Sequence, residues 1–100
     1  MKLSVLDRFT LLNVLPKEGN YFTLKIVRDL QNELGFSEQE LKDINFKEEG
    51  AGATWIEADK DIQIGEKATD IIVDAFKKLD KNNKLNIEML GTYGKFINCE

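Results

Sequence analysis

The chain has 100 residues, 42% hydrophobic and 32% charged, with a formal net charge of −4, no histidine and one cysteine, Cys99. That length supports one domain, residues 1–100, with a core that needs no metal or disulfide staple. It excludes an intrachain disulfide, and no apolar run approaches the ~18–20 residues of a membrane-spanning helix.

The acidity is local. Residues 1–36 carry five basic and four acidic groups, residues 37–70 four basic and ten acidic, and residues 71–100 five basic and four acidic. The middle third is therefore a poor phosphate surface and a suitable one for a basic protein.

The opening MKLSVLDRFTLLNVLP has the apolar look of a secretory signal. Asp7 and Arg8 interrupt it and no small-residue cleavage site follows, so a mature helix and a cytoplasmic home are expected. Ser4 and Asp7 have capping-box spacing. Val5, Leu6, Phe9, Leu11, Leu12, Val14 and Leu15 nearly encircle the helix, which suits a central core element or an interface. Pro16 pushes Leu15 out of the helical region and ends the helix by about Val14.

A second helix is expected from Asn20 or Thr23 to Leu34, with Leu24, Val27, Leu30 and Leu34 as its stripe. Gly35 suits a left-handed closing residue, and Phe36 is placed to fold back on the last turn. Ser37-Glu38-Gln39-Glu40 reads as a full capping box for a third helix, with Phe36 and Leu41 as its staple. After Ile44, the segments 45–49 and 53–57 flank Gly50-Ala51-Gly52 as a hairpin, and 61–64 alternates as a third short strand. From Gly65 to Lys81, Ala68, Ile71, Ile72, Ala75, Phe76 and Leu79 recur with helical period, and Glu66, Lys77, Lys78 and Lys81 agree with the helix dipole. Asn86 is a cap for a last helix whose expected stripe is Ile87, Leu90, Tyr93 and Ile97. Gly91 and Gly94 weaken it by about 1 kcal/mol each.

The fold expected is α+β and mainly helical: a three-helix part with a small β-hairpin (residues 3–64), then two C-terminal helices (65–98). This order resembles a winged helix–turn–helix, a likeness carried by element order and the Gly35–Ser37 turn. The stretches Phe9–Asn20, Thr23–Leu30 and Ile64–Leu79 also resemble small bacteriophage- and prophage-encoded proteins. That resemblance implies provenance and brings no established activity.

The chemistry points to binding. With no histidine, the commonest general base and metal ligand is missing, and Ser4 and Ser37 are better explained as helix caps. Asp59 and Asp61 begin a calcium-loop spacing that fails at Gln63, Ile64 and Asp70. Catalytic, metal and cofactor sites are all expected to be absent. In a DNA-binding winged helix the element after the turn enters the major groove, yet here it reads Glu38 to Ile44 with three carboxylates against Lys42, so a nucleic-acid partner is not expected there.

The expected partner surface is the acidic face: Glu38, Glu40, Asp43, Glu48, Glu49, Glu57, Asp59 and Asp61, with Trp55 as its aromatic contact. It would engage a host protein as a phage accessory factor, imitating a nucleic-acid backbone in a basic groove. The alternative is a DNA-binding regulator using Lys17, Lys25 and Arg28. Tyr21, Phe22, Tyr93 and Phe96 are candidate exposed aromatics, and with the all-round apolar first helix they make a homodimer a further expectation.

Overall fold

The computed structural model describes residues 1–50 and 52–97. Among them are five helices and four three-residue strands, in an α+β arrangement dominated by helix. The order is β1 (Lys2–Ser4), α1 (Val5–Val14), α2 (Tyr21–Leu34), α3 (Glu38–Asp43), β2 (Lys47–Glu49), β3 (Gly52–Thr54), β4 (Asp59–Asp61), α4 (Glu66–Lys81) and α5 (Ile87–Ile97).

Local chemistry sets most of these boundaries. Ser4 Oγ accepts from the Asp7 amide at 3.1 Å, and the Ser4 amide donates to Asp7 Oδ2 at 3.0 Å, closing the expected box. Asn20 caps α2 by accepting from the Thr23 amide at 2.8 Å. Asn86 does the same for the Met89 amide at 3.0 Å. After α4 the chain leaves through Asn83 at φ 56°, and the Lys84 amide returns to the Leu79 carbonyl at 2.8 Å. Asparagine tolerates that left-handed geometry better than most side chains.

The helices enclose one hydrophobic cluster. Leu3, Leu11, Leu15, Val27, Leu30, Leu34, Ile62, Ala68, Ile72, Phe76 and Phe96 are all buried in it. Helix α1 is the central element, packed against α2, α4 and α5. Its cover buries Val5, Asp7, Arg8, Thr10 and Leu11 and leaves Leu6, Phe9, Leu12 and Val14 half-buried. Phe76 stacks on Tyr93 at 4.9 Å, and Ile72 beside it has no exposed surface. Ile72→Val is expected to lower unfolding stability by about 1 kcal/mol, read as a shift in the urea midpoint at unchanged slope.

Several expectations need correction. Gly35 is extended, with φ −65° and ψ 164°. Phe36 leaves the end of α2 and stacks on Phe9 at 4.6 Å. Ser37 caps α3 by accepting from the Glu40 amide at 3.1 Å, but the Glu40 carboxylate binds Arg8, so only half of the second box forms. The third short strand lies at Asp59–Asp61, and its partner is β1, which the periodicity did not announce. The pair is antiparallel, with Lys2 opposite Asp61, Leu3 opposite Lys60 and Ser4 opposite Asp59. The hairpin β2–β3 is a separate two-stranded sheet, with Glu49 opposite Gly52 and Gly50 at φ 59°.

Helix α5 is turned relative to its expected stripe. Thr92 and Phe96 face the core, with Met89 and Tyr93 beside them, whereas Ile87, Leu90 and Ile97 are exposed. Phe96 is thus not an exposed aromatic, and Tyr93 lies against Phe76. Tyr21 and Phe22 are exposed as expected, edge to face at 5.7 Å. Cys99 lies outside the described residues.

Candidate functional site

The acidic middle third divides into carboxylates that hold the fold together and carboxylates that do not. Glu40 belongs to the first group. Its carboxylate accepts from Arg8 Nη1 at 2.8 Å, and Lys60 Nζ lies 3.6 Å away. The hydrogen bond from Arg8 holds the Glu40 carboxyl below its usual range, against a smaller opposing effect of burial. Glu57 accepts from the Val5 amide at 2.6 Å and from Trp55 Nε1 at 3.3 Å, fastening the segment after the hairpin to the start of α1. Asp61 accepts from the Met1 amino group at 2.9 Å, and that bond holds its carboxyl below the ordinary value.

Trp55 is half-buried in an aromatic layer. Its ring lies 5.3 Å from Phe9 and 6.4 Å from Phe46. Phe9 and Phe36 complete the layer, and the Arg8 guanidinium sits 3.7 Å from the centre of the Phe36 ring. Phe46 and Trp55 fall just outside the strands of the hairpin, so the layer anchors the hairpin base over α1. The strands themselves are exposed.

The second group is Glu38, Asp43, Glu48, Glu49 and Asp59. All are exposed, and no ion pair among the described residues involves them. Asp43 accepts one hydrogen bond, from Gln39 Nε2 at 2.9 Å on the same helix. Asp43 and Asp59 are brought together from α3 and β4, on a shallow concavity of about 240 Å³ that also takes in Glu40, Lys60 and Ile44. Glu48 and Glu49 are consecutive on β2, so their side chains leave opposite faces of the hairpin. The fold thus gathers α3 and β4 into one acidic rim, with the hairpin as a separate acidic projection.

A larger concavity, about 480 Å³, lies elsewhere, where the end of α1 and the start of α2 meet α4. Val14, Pro16, Ile71 and Ala75 form its apolar wall, with Asp74 and Lys78 at the edge. The basic alternative also has a location. Lys25 and Arg28 line a shallow depression of about 230 Å³ with Tyr21 and Leu24 on the outer face of α2. Among the described residues, no three acidic, histidine or cysteine side chains are grouped to hold a metal ion. No described helix is long and apolar enough to cross a membrane.

Compared with known proteins, the chain matches no family model, no curated protein and no solved structure. The feature that sequence reading missed is the apolar outer face of α5. The helical period places Ile87, Leu90 and Ile97 in the core stripe, and the signal that could have found it is that α5 carries apolar residues on two faces at once.

Proposed function

We propose that this is a non-enzymatic protein-binding module, a phage-encoded accessory protein that engages a basic surface of a host protein in the host cytoplasm. The observation that carries the reading is the division of the carboxylates. Glu38, Asp43, Glu48, Glu49 and Asp59 are exposed and make no ion pair among the described residues, and all five come from the middle third of the sequence, on α3, β2 and β4. Uncompensated negative charge at exposed positions raises encounter rates with a basic partner and discriminates against nucleic acid. Trp55, packed against Phe9 and Phe46, anchors the hairpin that carries Glu48 and Glu49.

The test is affinity capture of the tagged protein from a nuclease-treated bacterial host lysate at low salt, with mass spectrometry of the retained proteins. A stoichiometric host protein that elutes as salt is raised is the expected result. Retention only from untreated lysate would transfer the binding to nucleic acid and to the Lys25–Arg28 face of α2.

A further inference from the structure

Helix α5 contains Gly91 and Gly94, and no other described helix contains a glycine. Glycine has more backbone freedom to lose in a helix interior than any other residue, so both positions favour local melting. A side chain at position 91 would meet nothing within 4 Å, so packing does not require a glycine there. Only Thr92 and Phe96 of α5 are buried, whereas Ile87, Leu90 and Ile97 are exposed. Helices α1, α2 and α4 each bury at least three residues. Of the four longer helices, α5 is the most weakly built.

Its attachment is narrow. α5 packs on α1 and α4, where Met89, Tyr93 and Phe96 supply the apolar contact and the Tyr93 ring stacks on Phe76. The side-chain bonds that tie it down converge on one buried carboxylate. Thr92 Oγ1 donates to Asp7 Oδ1, and Lys95 Nζ donates to Asp7 Oδ2. Lys95 Nζ also lies 3.5 Å from the Lys2 carbonyl oxygen. Among the described residues, no backbone hydrogen bond joins α5 to another helix or strand.

The connection from α4 is finished separately at each end. The Lys84 amide returns to the Leu79 carbonyl inside the last turn of α4, and Asn86 caps α5. Detaching α5 therefore does not unravel α4. It strands no charge either. The Lys95 side chain is already 41% exposed, and opening returns Asp7 and Lys95 to water together. The Ser4 amide keeps its bond to Asp7 Oδ2, so the box that starts α1 survives.

We propose that α5 is a strap: it opens as a unit from a body of α1 to α4 that stays folded, and Asp7 is the clasp that holds it shut. Opening turns the groove between α1 and α4, filled by Met89, Tyr93 and Phe96 when closed, from core into surface. Phe76, which has no exposed surface in the closed form, becomes accessible there. Elements with few buried contacts open below the free energy of global unfolding, and α5 fits that description. The device is separate from the acidic face, which lies on α3, β2 and β4.

Native-state hydrogen exchange of the full chain, followed amide by amide by nuclear magnetic resonance at low urea concentrations, tests this. The α5 amides are expected to exchange about tenfold or more faster than the slowest amides of α1 and α4. Their rate should scarcely rise with urea, because opening the strap exposes little surface. Val27→Ala changes α2, which packs on α1 and α4. It should speed the slowest amides of the body about tenfold or more and leave α5 exchange unchanged. Thr92→Val keeps the side-chain shape, removes the hydroxyl and should speed α5 exchange about tenfold. Gly91→Ala should slow it about fivefold. Should Val27→Ala not fold, the urea dependence of the wild type decides alone. Wild-type α5 amides that match the body in rate and urea dependence would overturn the proposal. So would a Val27→Ala protein whose α5 amides accelerate as much as those of the body. An unchanged α5 rate in Thr92→Val would overturn the role of Asp7 as the clasp.

Discussion

Arg8→Ala is expected to destabilise the protein by about 3–5 kcal/mol, enough to leave much of a marginally stable domain unfolded. The Arg8 side chain is 3% exposed and makes contacts that no neighbour can replace. Its Nε donates to the Leu34 carbonyl at 3.0 Å and Nη2 to the Gly35 carbonyl at 2.6 Å. These carbonyls end α2, where a cation also complements the helix dipole. Nη1 holds Glu40, and the flat guanidinium lies on Phe36. Truncation would leave the Leu34 carbonyl buried and unpaired, free Glu40 from α1, and open a void beneath the aromatic layer. Arg8→Lys should recover only a minor part, because an ammonium lacks the planar fork that reaches two carbonyls and a carboxylate together. Urea unfolding of the three proteins at neutral pH measures the order: wild type, then Lys, then Ala.

Asp7→Ala should cost about 3 kcal/mol at neutral pH, and unlike the arginine change its effect should fade in acid. The Asp7 carboxylate is buried between α1 and α5, where Thr92 Oγ1 donates to Oδ1 at 2.5 Å and the Lys95 ammonium and Ser4 amide donate to Oδ2. Burial alone would push the carboxyl up. The bonds from Lys95, Thr92 and Ser4 outweigh it, so the folded-state value lies below the ordinary 3.8. A depressed acid contributes stability that is fully present above the unfolded-state value and is lost as pH falls through the folded value. Thermal midpoints of the wild type and Asp7→Asn should therefore differ most at neutral pH and converge below about pH 4. Glu40 is shifted in the same direction by Arg8, so the wild type should lose stability in acid from two neighbouring ion pairs near the start of α1. A gap between the two proteins that stayed constant down to the acid limit would contradict this.

These two buried charges also explain why parts of the fold were hard to read from sequence. The caps at Ser4, Asn20 and Asn86 and the body of α4 depend on contacts within a few residues, and the sequence states them openly. The end of α2 does not. A left-handed glycine at Gly35 would have closed the helix locally, but Arg8, more than 20 residues away, satisfies those carbonyls and frees the chain to run extended. The same guanidinium draws Glu40 away from its own N-terminus and turns a full capping box into half of one. Helix α5 failed for a related reason. With apolar residues on two faces, periodicity alone cannot say which is inside. The choice is made by the Thr92 hydroxyl and the Lys95 ammonium reaching Asp7, and by Tyr93 stacking on Phe76. Strand β1 was invisible because it is three residues long and pairs with β4 across more than 50 positions.

The acidic middle third was legible as composition, and its internal division was not. Glu40, Glu57 and Asp61 look the same in sequence as Glu38, Glu48 and Glu49, and only long-range geometry shows which have partners inside the fold. Capture with a charge-reversed variant uses that division directly. Glu38→Lys, Glu48→Lys and Glu49→Lys are combined in one chain, and its unfolding curve and its host-protein capture are measured beside the wild type. The variant is expected to keep the wild-type unfolding free energy within about 0.5 kcal/mol, because all three positions are exposed and make no ion pair among the described residues, and to lose the captured protein. Undiminished capture by a normally folded variant would contradict the account and remove the acidic face from it.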